Sequence, residues 1–143
     1  MATTNFNVNP EYYDLQVDWK KRMQKEREFF ENIFNSRKIS RVLDIGCGTG
    51  HHAELFAEYA SEVVAIDPDP EMIEYSKNNT IKSKNITLYK AGFEDLDKIP
   101  DGKFDLITST IFNNFSPSVI FLCLIVRVSW SIFSFFNCHD SSM

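Results

Sequence analysis

The chain has 143 residues with 15 basic and 20 acidic side chains, and its formal net charge at pH 7 is -5. This length suits one domain with its own core, so neither disulfides nor a structural metal are needed for stability. The acidic balance disfavours a general nucleic-acid binder, which would carry a basic excess. The three cysteines show no pairing or metal-ligand spacing, and residues 1–10 lack the layout of a secretory signal, so we expect a cytoplasmic protein.

The composition changes near residue 111. The last 32 residues hold one of the 15 basic and one of the 20 acidic side chains, Arg127 and Asp140, but 6 of the 13 phenylalanines. The whole net charge therefore belongs to the first 111 residues, which have the composition of an ordinary enzyme. Arguments about function rest on that part of the chain.

Helical and strand patterns alternate along this first part. The spacing of apolar residues predicts one amphipathic helix over Glu11–Phe34, a second over His51–Ala60 and a third that begins at Pro70. Short runs of branched apolar residues predict four strands: Val42–Ile45, Glu62–Ile66, Ile86–Tyr89 and Phe104–Thr108. Such alternation is typical of βαβ units, so we predict an α/β fold with a mostly parallel sheet and helices on both faces.

The first predicted strand leads into a glycine-rich segment, Gly46–Gly50, and then into a helix. Glycine lets a ligand approach the backbone without a Cβ in the way, and the helix N-terminus offers N–H groups. Asp67 ends the next strand about 20 positions later, the spacing expected of a carboxylate that binds ribose hydroxyls. A nucleotide-type site at the carboxyl edge of the sheet is predicted; a structural turn with a solvated aspartate is the alternative.

The residues around the glycines bear on the identity of the ligand. A dinucleotide fingerprint would need a small residue at position 51, where this chain has His51. Asp44, two residues before the first glycine, would repel a pyrophosphate but attract an ammonium group. S-adenosylmethionine carries an ammonium group and a sulfonium and has no phosphate, so electrostatics favour it over NAD.

Four segments resemble, in order, the motifs of class I S-adenosylmethionine-dependent methyltransferases: Val42–Gly50, Val64–Ile73, Ala91–Leu96 and Lys103–Ile107. Residues 12–22 are similar to the N-terminal cap of small-molecule methyltransferases near the glycine N-methyltransferase group. The resemblance implies a Rossmann-like doubly wound parallel sheet, incomplete with about four strands, S-adenosyl-L-methionine as cofactor, and methyl transfer to a small-molecule acceptor. It implies a helical cap over 1–40, a cofactor-binding core over 41–115 and an atypical hydrophobic tail over 116–143.

The resemblance also implies roles at matching positions. Asp44 would hold the methionine amino group, Asp67 the ribose hydroxyls, and Arg22 of the cap the methionine carboxylate. The other residues implied to contact the cofactor are Tyr13, Trp19, Gly46, Cys47, Gly48, Gly50, Pro68, Met72, Gly92, Phe93, Glu94 and Ser109. No catalytic base and no metal ligand is predicted. We expect His51 and His52 to be surface residues at a helix start.

The resemblance ends after Phe115, and residues 119–136 are largely apolar. This stretch is near the lower length limit for a membrane span. We favour instead a truncated product whose reading frame left the family pattern near Asn113, and we expect neither a membrane nor a nucleic-acid partner. Three functions stay open: an active methyltransferase, an inactive module that binds S-adenosylmethionine, and a less favoured NAD-binding oxidoreductase domain.

Overall fold

The computed structural model describes residues 8–100 and 103–109. Its first elements are two helices, α1 (Pro10–Gln16) and α2 (Trp19–Ser36). The side chain of Asn9 accepts a hydrogen bond from Tyr12 N at 2.9 Å, and Pro10 lies in the first turn of α1, where no N–H is needed. The sequence thus marks the start of α1 with both a cap and a proline.

The single helix predicted over Glu11–Phe34 is wrong, because the chain breaks between α1 and α2. Val17 adopts an extended backbone with φ -109° and ψ 120°, and the Asp18 side chain accepts a hydrogen bond from Lys21 N at 3.0 Å. An aspartate that caps a new helix competes with continuation of the old one. The break allows α1 to pack against the helix that begins at Pro70, while α2 packs against the helix that begins at His51.

Four parallel strands form one sheet in the order β3-β2-β1-β4: β1 (Arg41–Ile45), β2 (Glu62–Asp67), β3 (Ile86–Lys90) and β4 (Leu106–Ser109). The connecting helices are α3 (His51–Ala57), α4 (Pro70–Tyr75), a π-helical continuation over Ser76–Thr80 and a 3-10 helix over Phe93–Lys98. The predicted parallel α/β sheet is confirmed, as is each of its four strands to within two residues. The strand order reverses between β1 and β4, which is where open parallel sheets bind ligands.

The two faces of the sheet bury separate apolar clusters. Val42 belongs to the cluster under α2 and α3, which contains the fully buried rings of Phe30 and Phe56. Leu43 belongs to the opposite cluster, together with Phe104 and residues of the 3-10 helix. Consecutive residues of β1 thus face opposite sides and both are apolar, as expected for a parallel sheet covered on both faces.

Several predictions fall on residues outside the described ranges. These are the first seven residues of the cap, residues 110–115 of the predicted core, and the tail over 116–143 with its apolar stretch. Within residues 8–100 and 103–109, no helix combines the length and the apolar character that crossing a bilayer requires.

Candidate functional site

Two aspartates and a serine of the predicted site lie at one edge of the sheet. The parallel register pairs Ile45 of β1 with Ser109 of β4 on one side and with Ile66 of β2 on the other. Asp44 and Asp67 are each one residue from that level. The carboxyl ends of three adjacent strands therefore meet here, as the strand and loop pattern predicted.

Asp44 is fully buried at the end of β1. Its Oδ1 accepts a hydrogen bond from Thr108 Oγ1 at 3.0 Å, whereas no donor from the described residues reaches its Oδ2. Burial raises the pKa of Asp44 to about 6, although the electrostatic effect of the nearby His52 and the bond from Thr108 both lower it. A buried carboxylate oxygen that lacks a donor is costly, so this position suits a ligand that brings a cationic N–H group.

The glycine-rich loop after β1 is bent by three glycines with positive φ. A Cβ at Gly46 (φ 71°) or Gly48 (φ 53°) would meet nothing within 4 Å, so open space lies beside both residues. A Cβ at Gly50 (φ 88°) would instead lie 3.0 Å from side-chain atoms of Ile81 and Ser76. The first two glycines therefore leave room for a ligand, whereas the third is needed for packing.

Asp67 at the end of β2 holds the loop from the other side. Its Oδ2 accepts a hydrogen bond from Gly48 N at 2.8 Å, and its Oδ1 accepts one from Asp69 N at 2.9 Å. Burial raises the pKa of Asp67, and these two backbone bonds partly oppose that rise. Each carboxylate oxygen has two lone pairs, so both can still accept a bond from a ligand hydroxyl.

The residues after β3 continue the same edge. Ala91 N donates to Asp67 O at 3.0 Å, which brings Gly92 and Phe93 next to the end of β2. Gly92 is buried, whereas the ring of Phe93 is 53% exposed and forms an apolar surface at the rim. Three other predicted contact residues differ in exposure along this rim: Glu94 and Pro68 are exposed, and Met72 is buried.

The cap brings three further predicted residues together. The ring centroids of Tyr13 and Trp19 are 6.1 Å apart, and the Arg22 guanidinium carbon lies 5.3 Å from the centre of the Trp19 ring. Burial raises the pKa of Tyr13, and the charges of Arg22 and Asp67 act on it in opposite directions. Trp19 Nε1 is buried and has no acceptor among the described residues. It is thus a buried donor whose hydrogen bond is unused within the described residues.

The prediction that His52 is a surface residue is wrong. His52 is 4% exposed, and its Nε2 lies 2.6 Å from Glu26 Oε2 of the cap. His51 is half-buried and its Nε2 lies 3.1 Å from both carboxylate oxygens of Asp14. The cap helices cover the start of α3, and this long-range packing buries His52 and partly covers His51.

Cys47, in the middle of the glycine-rich loop, is a buried free thiol. Burial raises the pKa of Cys47, and the negative charges of Asp44 and Asp67 raise it further. A thiol that stays protonated is a poor nucleophile and a poor metal ligand. In the part of the chain that the structure describes, no three acidic, histidine or cysteine side chains converge on a possible metal site.

Comparison with known proteins agrees with this geometry. A sequence-family model described as a methyltransferase domain matches residues 42–128, which is more than half of the chain. The chain belongs to the class I S-adenosylmethionine-dependent methyltransferases. The cofactor of this family is S-adenosyl-L-methionine. The match continues to residue 128 and so includes the first part of the predicted tail.

Similar methyltransferases are found among curated proteins. The chain is 30% identical over 97 residues to a glycine/sarcosine/dimethylglycine N-methyltransferase of Actinopolyspora halophila, covering 66% of this chain and 17% of that protein. It is 37% identical over 74 residues to the uncharacterised methyltransferase YcgJ of Bacillus subtilis, covering 50% and 29%. The chain thus spans less than a third of the length of either relative.

Solved structures support the fold. The crystal structure of YcgJ from Bacillus subtilis superposes with a TM-score of 0.52 at 31% identity, covering 60% of this chain and 37% of that one. Streptomyces venezuelae DesVI superposes with a TM-score of 0.58 at 22% identity, covering 73% and 43%. The Rossmann-like methyltransferase fold predicted from the motifs is confirmed over these ranges.

The described residues fit the family cofactor in three respects. The donor-free Oδ2 of Asp44 can accept a bond from an ammonium group, and the acceptor-free Nε1 of Trp19 can donate one to a carboxylate. The space beside Gly46 and Gly48 leaves their backbone accessible. Ser109 Oγ at the end of β4 is also buried without a partner among the described residues. The three described residues with a buried unpartnered polar atom, Asp44, Trp19 and Ser109, are thus all among the residues predicted to contact the cofactor.

The sequence interpretation missed the residues that hold the cap to the core. The sequence pattern does not single out Asp14 or Glu26, and it predicts His51 and His52 at the surface. Their partners lie 26 to 37 positions away along the chain. A local sequence pattern does not reveal such pairs. The one sequence feature that points to them is the pair of adjacent histidines, which begins at the position where a dinucleotide-binding loop needs a small residue.

Proposed function

We propose that this protein is a methyltransferase that moves a methyl group from S-adenosylmethionine to a small-molecule acceptor. The observation that carries the proposal is the buried Oδ2 of Asp44, which lies beside the glycine-rich loop and lacks a donor among the described residues. A cationic amino group would satisfy it, and a pyrophosphate would be repelled. Names of two relatives, both N-methyltransferases of glycine and sarcosine, favour a small amine as acceptor.

Each predicted contact has a part in this proposal. Asp44 holds the amino group, Trp19 and Arg22 hold the carboxylate, and Asp67 accepts from the ribose hydroxyls. The backbone of Gly46, Cys47, Gly48 and Gly50 passes under the methionine and ribose. Residues at the rim and in the cap complete the site: Tyr13, Pro68, Met72, Gly92, Phe93, Glu94 and Ser109.

S-adenosylmethionine, held by Asp44, Trp19 and Arg22, would supply a methyl group on a sulfonium. The lone pair of the acceptor nitrogen would form the new C–N bond as the C–S bond breaks with its electrons on sulfur, and the methylated nitrogen would then lose its proton to water. The protein's part is then to align the acceptor and exclude water, because the leaving group is already good. A base is needed only if the acceptor arrives protonated. A cytoplasmic location remains the prediction from composition and cysteine pattern.

Calorimetric titration of the full chain tests the proposal. S-adenosylhomocysteine should release or absorb heat on binding, and NADH should not. Asp44→Asn should weaken the binding of S-adenosylhomocysteine by about tenfold or more, because a charge-assisted hydrogen bond is lost. Asp97→Asn, which makes the same charge change at an exposed residue, is the matched control. An absence of S-adenosylhomocysteine binding would refute the proposal.

A methyl-release assay over small amines, including glycine and sarcosine, then separates an enzyme from an inactive binding module. Turnover with at least one amine, which the Asp44→Asn variant loses, is expected. Cofactor binding without turnover for any acceptor would favour the inactive module instead.

A further inference from the structure

The two histidines after the glycine-rich loop are each paired with a carboxylate from a different helix of the cap. His51 Nε2 lies 3.1 Å from both oxygens of Asp14, which is in α1. His52 Nε2 lies 2.6 Å from Oε2 of Glu26, which is in α2. The start of α3 therefore anchors both cap helices through two adjacent side chains.

Each carboxylate also binds a further group near the proposed cofactor site, and Asp14 Oδ2 in addition accepts a hydrogen bond from the Tyr75 hydroxyl at 3.3 Å. Asp14 Oδ1 accepts a hydrogen bond from Thr49 Oγ1 at 2.6 Å, and Thr49 lies within the glycine-rich loop and is 1% exposed. Glu26 Oε1 accepts one from Arg22 Nε at 2.9 Å. Asp14 thus joins α1 to the loop, and Glu26 joins His52 to the arginine proposed for the methionine carboxylate.

Trp19 lies between these two pairs. Its ring stacks on His51 with centroids 4.2 Å apart and planes 17° apart, and it meets His52 edge-on at 6.0 Å. The Arg22 guanidinium lies 5.3 Å from the centre of the same ring. The orientation of Trp19, and so of its buried Nε1, is therefore set by the histidines and by Arg22.

We propose that Asp14 and Glu26 are positioning residues that dock the cap on His51 and His52 and thereby hold Trp19 and Arg22 ready for the carboxylate of S-adenosylmethionine. This inference rests on the proposed function. It assigns a purpose to the two histidines, the first of which, His51, stands where a dinucleotide-binding loop would have a small residue. Loosening either pair removes the preorganisation of the cap, which lowers affinity.

Titration with S-adenosylhomocysteine, on the full chain, tests this role. Asp14→Asn and Glu26→Gln keep the shape and one oxygen acceptor but lose the charge, whereas Asp14→Ala and Glu26→Ala lose the acceptor too. Affinity should fall in steps from wild type to amide variant to alanine variant, by about five- to tenfold in total. Glu28→Ala, at an exposed position on α2, is the matched control for Glu26→Ala and should bind S-adenosylhomocysteine as the wild type does.

Trp19 fluorescence reports the local position of the cap, which a loss of global stability alone would not change in the folded protein. Trp19 and Trp130 are the two tryptophans of the chain, so Trp130→Phe leaves Trp19 as the reporter. In this background Asp14→Asn and Glu26→Gln should shift the emission to longer wavelength and increase quenching by acrylamide, at temperatures well below unfolding.

The outcomes separate the two proposals. A wild-type chain that does not bind S-adenosylhomocysteine would overturn both the proposed function and the positioning role. Wild-type binding that the amide variants match within twofold, with unchanged Trp19 emission, would overturn the positioning role alone. Should an alanine variant fail to fold, the comparison of wild type with the amide variants decides by the same criterion.

Discussion

Replacing Asp44 by asparagine should change the pH dependence of stability in a direction that the structure specifies. The carboxyl group is fully buried, and its pKa is raised from 3.8 to about 6, chiefly by burial. The native protein therefore holds this proton more tightly than the unfolded chain. At neutral pH the buried charge lowers the free energy of unfolding by about 3 kcal/mol, which is the free-energy equivalent of that pKa difference.

The sign follows from which state binds the proton. Above about pH 6 the native carboxylate is charged and the full penalty applies, and as the pH falls toward 3.8 the native carboxyl group becomes neutral before the unfolded one does. The wild type thus gains stability relative to the asparagine variant on acidification. The variant's unpartnered amide adds a constant offset, which cancels when two pH values are compared.

Urea unfolding of both proteins measures this effect. Between about pH 4.5 and about pH 7.5 the difference in unfolding free energy should shift by about 2 kcal/mol in favour of the variant. Asp97→Asn, at an exposed position, should follow the wild type across this range. Parallel stability curves for wild type and Asp44→Asn would refute the argument from burial.

Cofactor affinity of the wild type should fall below pH 6, because a neutral carboxyl group no longer attracts an ammonium group.

Three further substitutions test the loop and the core. Gly50→Ala should lower the free energy of unfolding by about 1–3 kcal/mol in urea, because its φ is 88° and the new Cβ would lie 3.0 Å from Ile81 and Ser76; an unchanged midpoint would contradict this. Gly48→Ala places its Cβ in open space but at a φ of 53°, so it should cost about 1 kcal/mol of unfolding free energy; calorimetry should also show weaker binding of S-adenosylhomocysteine, and normal affinity would mean that the ligand does not approach this residue. Phe30→Ala should cost about 3–5 kcal/mol of unfolding free energy, since the ring is 0% exposed, and a loss below about 1 kcal/mol would show that the cluster repacks.

The strands and the glycine-rich loop were predictable because their causes are local. Runs such as Val42–Ile45 and Glu62–Ile66 are apolar at all positions but one, Asp44 in the first and Glu62 in the second, and such runs are typical of strands covered on both faces. Glycines at 46, 48 and 50 all adopt positive φ, the conformation that favours this residue. Once the sheet is parallel, the rule that strand ends share an edge places Asp44 near Asp67 without further information.

The helices were less predictable because capping and packing compete over short distances. The apolar spacing over Glu11–Phe34 continues through the break at Val17, so periodicity alone gives one helix. Asp18 is the residue that starts the new helix, and its capping bond to Lys21 is visible only in the structure. The helical segment after the second strand likewise changes to π-helical geometry at Ser76, which no sequence pattern indicated.

The sequence by itself determined the fold class, the family motifs and the edge of the sheet where a ligand is predicted to bind, since these follow from periodicity, glycine and the chirality of βαβ units. Only the tertiary structure decided that Asp44 keeps one oxygen without a donor among the described residues and that His51 and His52 are held by Asp14 and Glu26. Burial and pairing depend on residues far apart in the chain. Their effects on charge and orientation therefore arise when the cap packs on the core.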